Sequence, residues 1–231
     1  MTTGVHNQSA WEREYQNPKF LSLGDEPNAD VRVFMRWLRR DQKLDITEWS
    51  VLDLGCGTGK NLNFVIKHFC KSGVGYDFSE TAVGIAQKQG EGLLVSYDVR
   101  SIGEKLPLET SSMDLVLDVT SSNSLSEKER AIYLSEAKRI LKPGGYFFVR
   151  ALCLDGDRNA AELLRSYPGN EHHTYKLPDV GVTERVFTES EIRELYGEQF
   201  EILHLEKTTG YQRWGDQKYK RNYWLLYLQT K

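Results

Sequence analysis

The chain has 231 residues, a length that favours one domain over two. Its composition, 39% hydrophobic and 27% charged with 6 prolines, is that of a globular protein and excludes disordered, collagenous and disulfide-stapled chains. The formal net charge of -3 excludes a strong general attraction to nucleic acid or to anionic lipid, so we expect neither as a partner.

The cysteines, the N-terminus and the hydropathy together predict a soluble cytoplasmic protein. Cys56, Cys70 and Cys153 fit neither a disulfide framework nor the paired spacing of zinc ligands. The first residues show no basic start followed by an apolar stretch, so no signal peptide is expected. The most apolar runs, 145–154 and 223–228, are far shorter than the ~18 residues that a membrane span requires.

In chain order, residues 1–45 come first; they are helical in places and stand outside the pattern that follows. From residue 50 to 151, short apolar runs alternate with segments of helical period, which predicts a parallel sheet with crossover helices. The predicted strands are 51–54, 73–77, 93–97, 113–119 and 146–152, and the helices between them include 59–69, 79–89 and 127–141.

The second half continues with a polar segment, a helix and two strands. Residues 153–187 interrupt the alternation, a capping box of Thr188 with Glu191 opens a short helix, and 200–206 and 222–229 are predicted strands. Ligands of open α/β sheets bind outside the carboxyl ends of the strands. We therefore expect a single domain over 1–231, with 1–45 as a helical lid and 153–187 as an insertion over the active site.

The strongest signal is the run VLDLGCGTGKN at 51–61, in which a strand leads through closely spaced glycines into a helix. Such a turn lets a ligand approach the backbone closely. Lys60 stands where a dinucleotide fingerprint would have its third glycine, and no P-loop pattern is present. The turn therefore favours a nucleoside-like ligand without a pyrophosphate.

Acidic residues end the next two strands. Asp77 lies 22 residues after Gly55, where a carboxylate accepts hydrogen bonds from both ribose hydroxyls; its alternative role is a helix N-cap. Asp98, at the end of the third strand, is placed to accept from an exocyclic amine such as that of adenine.

The combination resembles the class I S-adenosylmethionine-dependent methyltransferases. The similarity rests on DLGCGTG at 53–59, GYDFS at 75–79, YDV at 97–99, MDLVLD at 113–118 and LKPGG at 141–145. It covers about residues 48–152. The resemblance implies a doubly wound, Rossmann-like α/β sheet of seven strands in the order 3-2-1-4-5-7-6, mostly parallel with the last strand antiparallel.

The resemblance also implies a cofactor, S-adenosylmethionine, and a role for each matching position. The glycine turn would pack under the methionine moiety, Asp77 would hold the ribose and Phe78 the adenine, and Asp98 with Val99 would read the adenine edge. Asp118 would lie beside the amino group and sulfonium. An N-terminal helix would close over the cofactor. The cofactor-binding residues predicted in this way are Trp11, Tyr15, Asp53, Gly55, Cys56, Gly57, Gly59, Asn61, Asp77, Phe78, Asp98, Val99 and Asp118.

The predicted activity is methyl transfer to a small molecule. The fourth strand continues into a small polar turn, 119–123, without the Pro-Pro-aromatic motif of amino-group methyltransferases of DNA, and is similar to thiol, thiopurine and tellurite methyltransferases. Alternatives are a protein or RNA methyltransferase and a non-catalytic protein that binds S-adenosylmethionine. The sequence names neither the acceptor nor the oligomeric state.

The candidates for catalysis and substrate binding lie outside these motifs. His172 and His173 could act as a base or bind substrate, with a solvated loop pair as the alternative, and without a third ligand they predict no metal site. Asn123, Tyr211 and Trp214 are the other predicted substrate-binding residues. The basic and aromatic segment 211–221 is interpreted as a long hairpin or pocket wall, with a nucleic-acid surface as the alternative.

Overall fold

The computed structural model describes residues 3–19, 21, 23–214 and 217–231, without the side chains of 3–6, 213, 214 and 217. The strands are β1 Ser50–Leu54, β2 Ser72–Asp77, β3 Val95–Val99, β4 Met113–Val119, β5 Leu141–Leu152, β6 Thr174–Lys176, β7 Thr183–Arg185, β8 Phe200–Trp214 and β9 Gln217–Thr230. The helices are α1 Thr3–Gln16, α2 Ala29–Arg40, α3 Lys60–His68, α4 Glu80–Gln89, α5 Glu127–Ile140, α6 Arg158–Ser166 and α7 Glu189–Gly197.

Seven of these strands form one sheet in the order β3-β2-β1-β4-β5-β9-β8. Neighbours from β3 to β5 are parallel, and β9 runs antiparallel to both β5 and β8. Counted within this sheet alone, the order is the predicted one. The strand numbers shift because β6 and β7 form a separate two-stranded sheet that the sequence analysis did not predict.

Both faces of the sheet are covered, which explains why its central strands are apolar throughout. One core cluster joins the sheet to α5 and α7, and the other joins it to α2, α3 and α4. In α2, the Phe34 ring packs against the rings of Phe148 and Tyr227 in the sheet. The arginines at 36, 39 and 40 face solvent. Among the described residues, no helix has the length and apolar character needed to cross a bilayer.

The parallel strands bring their carboxyl ends to one edge of the sheet. Leu54, the last residue of β1, lies in register with Tyr76 of β2 and Asp118 of β4. The turns that follow these strands therefore meet at the same place. This is where two neighbouring strands, β1 and β4, send their chains to opposite faces, the usual position of a ligand site in this architecture.

The last two strands extend well beyond the predicted 200–206 and 222–229. Strands β8 and β9 pair continuously from Phe200 with Thr230 to Trp214 with Gln217, and only the first part of this hairpin lies against β5. The remainder is a two-stranded ribbon. Its alternating polar residues gave no apolar run, so the predicted strands stopped short, but the interpretation of 211–221 as a long hairpin agrees with this ribbon.

The 153–187 insertion is fixed to the hairpin by a buried polar network. The Arg221 guanidinium of β9 donates to Asp157 Oδ2 at 3.1 Å and to the Tyr175 hydroxyl at 2.9 Å. Tyr175 in turn donates to Glu184. Asp157 also accepts from the backbone N–H of Ala160, which makes it the N-cap of α6. One carboxylate thus serves both the helix and the buried cation.

Asp157→Ala should destabilise the protein by about 3–5 kcal/mol, because it leaves the Arg221 guanidinium buried without its counter-charge. The free energy of unfolding from urea titration measures this. Arg165→Ala is the control: it removes an exposed ion pair with Glu162 and should cost less than about 1 kcal/mol. Equal, small losses in both variants would contradict the proposed role of the network.

Candidate functional site

A cavity of about 350 Å³ lies at the carboxyl ends of β1, β2 and β4. Its volume falls in the range of about 300–1,000 Å³ that is typical of small-molecule sites. The wall consists of the turn after β1, the residues that follow β2, β3 and β4, the start of α5, helix α1 and the segment before α2. Both polar and apolar side chains line the cavity.

The turn after β1 is held in a shape that only glycine adopts easily. Gly55 has φ +72°, and a Cβ there would lie 2.2 Å from Cβ of Ser121. Gly57 has φ +54°, and a Cβ there would lie 2.7 Å from the hydroxyl of Tyr15. Both positions therefore combine a left-handed backbone with a close neighbour. The chain passes close under α1 and beside the turn after β4.

Asp77 is the buried carboxylate of the cavity wall. Its Oδ2 accepts from the backbone N–H of Gly57 at 2.9 Å, and its Oδ1 accepts from the N–H of Ser79 at 3.0 Å. Burial raises the pKa of Asp77 to about 6, so the group is mostly ionised at neutral pH. A carboxylate has about four acceptor positions, which leaves capacity for two hydroxyl donors from a ligand. Phe78 lines the cavity next to it.

Two further carboxyl groups lie beneath the cavity and do not line it. Burial, with the charges of Asp118 and Asp77, raises the pKa of Asp53 to about 8, and Asp53 Oδ2 has no hydrogen-bond partner among the described residues. Asp118 is fully buried; it accepts from the N–H and hydroxyl of Ser121 and from the Tyr133 hydroxyl. Asp118 therefore shapes the turn that follows β4.

That turn supplies one wall of the cavity. Thr120 has φ +63°, a conformation that costs energy for a β-branched residue and occurs most often at functional sites. The Ser121 hydroxyl donates to the backbone carbonyl of Leu54, which joins the turn to β1. Thr120, Ser121 and Ser124 all line the cavity. The sequence analysis selected only Asp118 and Asn123 from this region.

Helix α1 covers the cavity. Tyr15 lies over Gly57, and the Trp11 indole N–H donates to the Ser124 hydroxyl at 3.1 Å. The Glu12 carboxylate accepts from the hydroxyls of Ser79 and Thr81 at the start of α4. The helix is therefore attached to both sides of the cleft, to the turn after β4 and to the helix that follows β2.

The insertion supports this helix but does not line the cavity. The Asn7 amide bridges the two elements: its Oδ1 accepts from the Thr183 N–H, and its Nδ2 donates to the carbonyls of Thr183 and Ser124. No described residue of 153–187 belongs to the cavity wall. This differs from the expected position of 153–187 over the active site: α1, with Leu21, Leu23 and Asn28, occupies that place.

The predicted cofactor residues divide into two groups. The structure places one group on the cavity wall: Trp11, Tyr15, Gly55, Cys56, Gly57, Asn61, Asp77 and Phe78. The others lie elsewhere. Gly59 packs against Tyr97, and Asp53 and Asp118 are buried beneath the turns. Asp98 and Val99 are exposed near the edge of the sheet; the chain turns into the cavity only after them, with Arg100, Ser101 and Ile102.

His172 and His173 lie outside the cavity, beside Glu191. The ligand atoms of these three residues lie within 4.8 Å of one another, so a third potential metal ligand exists that the sequence argument lacked. Burial opposes ionisation of Glu191, but hydrogen bonds from Thr188 and His173 lower its pKa to about 2. Arg185 also pairs with this carboxylate at 3.2 Å. Its acceptor positions are thus already committed to the α7 cap and to neighbouring cations.

The remaining predicted substrate residues also lie away from the cavity wall. Asn123 is buried, and its Oδ1 accepts from the backbone N–H of Leu152. Tyr211 is 73% exposed on the hairpin ribbon and does not fold back onto the core. Trp214 belongs to β8, but its side chain lies outside the described part of the chain.

Several residues on the cavity wall were missed. They come from α1 and from positions one to six residues beyond the strand ends, namely Asn7, Gln8, Lys60, Arg100, Thr120 and Ser124. The rule that ligands bind beyond the carboxyl ends of strands pointed to those segments. It does not say which side chain of an irregular turn faces inward.

Comparison with known proteins defines the class. Residues 51–145 match the model of a methyltransferase domain. A methyltransferase structure from Anabaena variabilis superposes with a TM-score of 0.70 at 18% identity, covering 100% of this chain and 96% of that one. The 1,6-didemethyltoxoflavin-N1-methyltransferase of Burkholderia thailandensis, solved with S-adenosylhomocysteine, gives 0.68 at 17% identity, covering 99% and 88%. The fold is that of a Rossmann-like methyltransferase.

A relative found by sequence similarity is also a methyltransferase. The phthiotriol/phenolphthiotriol dimycocerosates methyltransferase of Mycobacterium tuberculosis is 30% identical over 156 residues. The match covers 64% of this chain and 55% of that protein, so the chain spans about half the length of this relative. The family model and this relative agree that the chain contains a methyltransferase domain, matched over residues 51–145.

Gly57→Ala should destabilise the protein by about 1–2 kcal/mol through its left-handed backbone, and should also displace Tyr15 from the turn. Chemical denaturation measures the first effect and Tyr fluorescence or hydrogen exchange of α1 the second. Gly84→Ala is the matched control, since Gly84 lies inside α4 with open space around it and alanine there should stabilise by about 0.5–1 kcal/mol. Similar stability changes in the two variants would contradict the strained-turn interpretation.

Proposed function

We propose that this protein transfers a methyl group from S-adenosylmethionine to a small-molecule acceptor inside the covered cavity. The observation that carries the proposal is the juxtaposition of the glycine turn, Asp77 and α1 around one cavity. The turn leaves space at the backbone, the buried carboxylate supplies acceptors for hydroxyl groups, and the helix excludes water. Together these features fit a nucleoside that carries a flexible polar tail.

The cavity wall supports one orientation of this ligand. Asp77 and Phe78, with Arg100 and Ser101 nearby, would hold the adenosine, and the Gly55–Asn61 turn would hold the methionine part. S-adenosylmethionine brings the reactive group itself, a methyl carried on a sulfonium. The protein's part is to position the acceptor in line with that methyl and to exclude competing water.

The wall also favours an acceptor that needs little help to lose a proton. No histidine lines the described part of the cavity, and burial holds the pKa of the Cys56 thiol well above its usual range. The carboxylates of Glu104 and Glu129 are the acidic groups there besides Asp77. Thiols, amines and activated hydroxyls thus suit this site better than unactivated alcohols.

The shape of the cavity favours a small acceptor over a macromolecule. Helix α1, with Leu21, Leu23 and Asn28, covers the cavity, whereas no described residue of the basic hairpin ribbon belongs to its wall. Two printed names support this choice: the relative is a methyltransferase of phthiotriol/phenolphthiotriol dimycocerosates, and the structural neighbour one of 1,6-didemethyltoxoflavin. A lipid-like or heterocyclic small molecule is therefore the proposed acceptor class.

Incubation with methyl-labelled S-adenosylmethionine and a panel of thiols, amines, carboxylic acids and aliphatic or phenolic hydroxyls tests the proposal. Mass spectrometry should find label on at least one small molecule, and Asp77→Ala should reduce that transfer. Label found only on protein or RNA would contradict the small-molecule proposal. Tight cofactor binding with no transfer to any member of a broad panel would favour a binding protein over an enzyme.

Binding of S-adenosylhomocysteine should weaken as the pH falls below about 6. Burial sets the pKa of Asp77 near this value in the free protein, and ribose hydroxyls donate more strongly to the ionised carboxylate than to the protonated carboxyl. Affinity should thus be nearly full at about pH 7 and above, and should fall by up to tenfold for each pH unit below about 6. Calorimetry between pH 5 and 8 measures this. Asp77→Asn should bind more weakly at pH 7.5 and show a flat profile; an unchanged slope would assign the titration to another group.

A further inference from the structure

A cluster of two histidines and one carboxylate lies outside the cavity, where the 153–187 insertion meets helix α7. It consists of His172, His173 and Glu191, whose ligand atoms lie within 4.8 Å of one another. We propose that these three residues bind a divalent transition-metal ion of the Zn²⁺ type, and that the ion links the insertion to α7. This inference goes beyond methyl transfer and does not depend on it.

The backbone conformation of His173 brings both histidine rings to the same side of the chain. Successive side chains of an extended chain point in opposite directions, but His173 has φ +50°, in the left-handed region. The centroids of the two imidazole rings consequently lie 3.7 Å apart. The His173 carbonyl accepts from the Val186 N–H, which fixes this turn beside the residue that follows β7. Both rings therefore face one carboxylate, that of Glu191.

The Glu191 carboxylate is oriented by the start of α7. Its Oε2 accepts from the backbone N–H of Thr188 at 2.8 Å and from the Thr188 hydroxyl at 2.9 Å, within the capping box of that helix. Its Oε1 lies 3.1 Å from His173 Nδ1 and 3.7 Å from His172 Nε2. Hydrogen bonds of this kind to a carboxylate hold a metal ligand in the orientation that the ion needs.

The distances between the ligand atoms fit a small ion. Zinc binds histidine nitrogen and carboxylate oxygen at about 2.0–2.2 Å, so two ligands of a tetrahedral site lie about 3.4 Å apart. The distances of 3.1 and 3.7 Å from the two nitrogens to Oε1 lie on either side of that value. The ion would take the place of the hydrogen bond between His173 and Glu191. The His172 side chain is 71% exposed, so its ring is free to turn toward an ion that arrives from solvent.

The types of ligand select the class of ion. Two imidazoles and one carboxylate suit Zn²⁺ and similar transition metals, whereas Mg²⁺ and Ca²⁺ prefer sites made of oxygen. The Arg185 guanidinium opposes any cation here, because it lies 3.2 Å from the same Oε1 of Glu191. The bonds from the two imidazole nitrogens do not depend on a negative charge. We therefore expect Arg185 to lower the affinity for the ion without preventing its binding.

Zinc titration of the protein tests the assignment. The purified chain, without an affinity tag and freed of metal by a chelator, should bind one equivalent of Zn²⁺ in a calorimetric titration and should bind no Mg²⁺ at the same concentrations. Because an ion that binds only the folded state stabilises it by mass action, saturating Zn²⁺ should also raise the melting temperature. Absence of Zn²⁺ binding, or equal binding of Mg²⁺, would overturn the proposal.

Histidine variants identify the ligands. His172→Asn and His173→Asn each remove one imidazole, and asparagine tolerates the left-handed backbone at position 173. Each should weaken Zn²⁺ binding at least about tenfold. His204→Asn is the matched control: His204 also pairs with a carboxylate, that of Glu206 at 3.2 Å, and its loss should leave the affinity unchanged. Unchanged affinity in both ligand variants, or an equal loss in the control, would place the ion elsewhere and overturn the proposal.

A variant of Arg185 tests the site without removing a ligand. Arg185→Gln takes away the opposing charge, so it should bind Zn²⁺ about three- to tenfold more tightly than the wild type. Unchanged or weaker binding would overturn the assignment of Glu191 Oε1 as a ligand. The melting temperature with chelator present shows whether each variant is folded. Because this variant retains all three ligands, it decides the question even where a histidine variant is unstable.

Discussion

The close contact between the turn after β1 and the turn after β4 is the constraint on which the site depends. Gly55 has no side chain, so Ser121 packs directly on it and donates its hydroxyl to the Leu54 carbonyl. The buried Asp118 carboxylate holds Ser121 in that position. A side chain at position 55 would push the turn after β1 away from the turn after β4. The cavity, its strained Thr120 and the anchor for α1 at Ser124 all follow from this contact.

Helix α1 shows how a polar element completes the site. Besides the packing of Ala10 and Trp11 on a core cluster, the helix is attached by hydrogen bonds that Asn7 and Trp11 donate and Glu12 accepts. Each such bond contributes about 0.5–1.5 kcal/mol, so the sum holds the helix closed while single bonds remain easy to exchange. This balance would suit a cover that opens for the small-molecule substrate we propose. The insertion takes part indirectly, through its contact with Asn7.

The sequence was sufficient to predict the strand order of the main sheet and the residues of the glycine turn and Asp77 on the cavity wall. Strand order, the glycine turn and Asp77 were predicted because they depend on local chemistry, namely backbone freedom and the end of a buried strand. Asp98 remains a prediction: its side chain is exposed at the end of β3 and does not belong to the cavity wall, which the chain enters only at Arg100. The position of α1 over Gly57 depends on contacts between residues far apart in sequence, which no local pattern records.

The attachment of α1 has a consequence for how such domains can be recombined. The region recognised as a methyltransferase domain, 51–145, contains the glycine turn and Asp77 but neither α1 nor the hairpin. A graft of that region into another protein would carry the turns at the base of the cavity without helix α1, which covers it. The host would have to supply an equivalent helix, with a carboxylate at the position of Glu12 to meet Ser79 and Thr81. The transplantable unit is therefore larger than the matched region 51–145, and its boundary is set by hydrogen bonds rather than by sequence similarity.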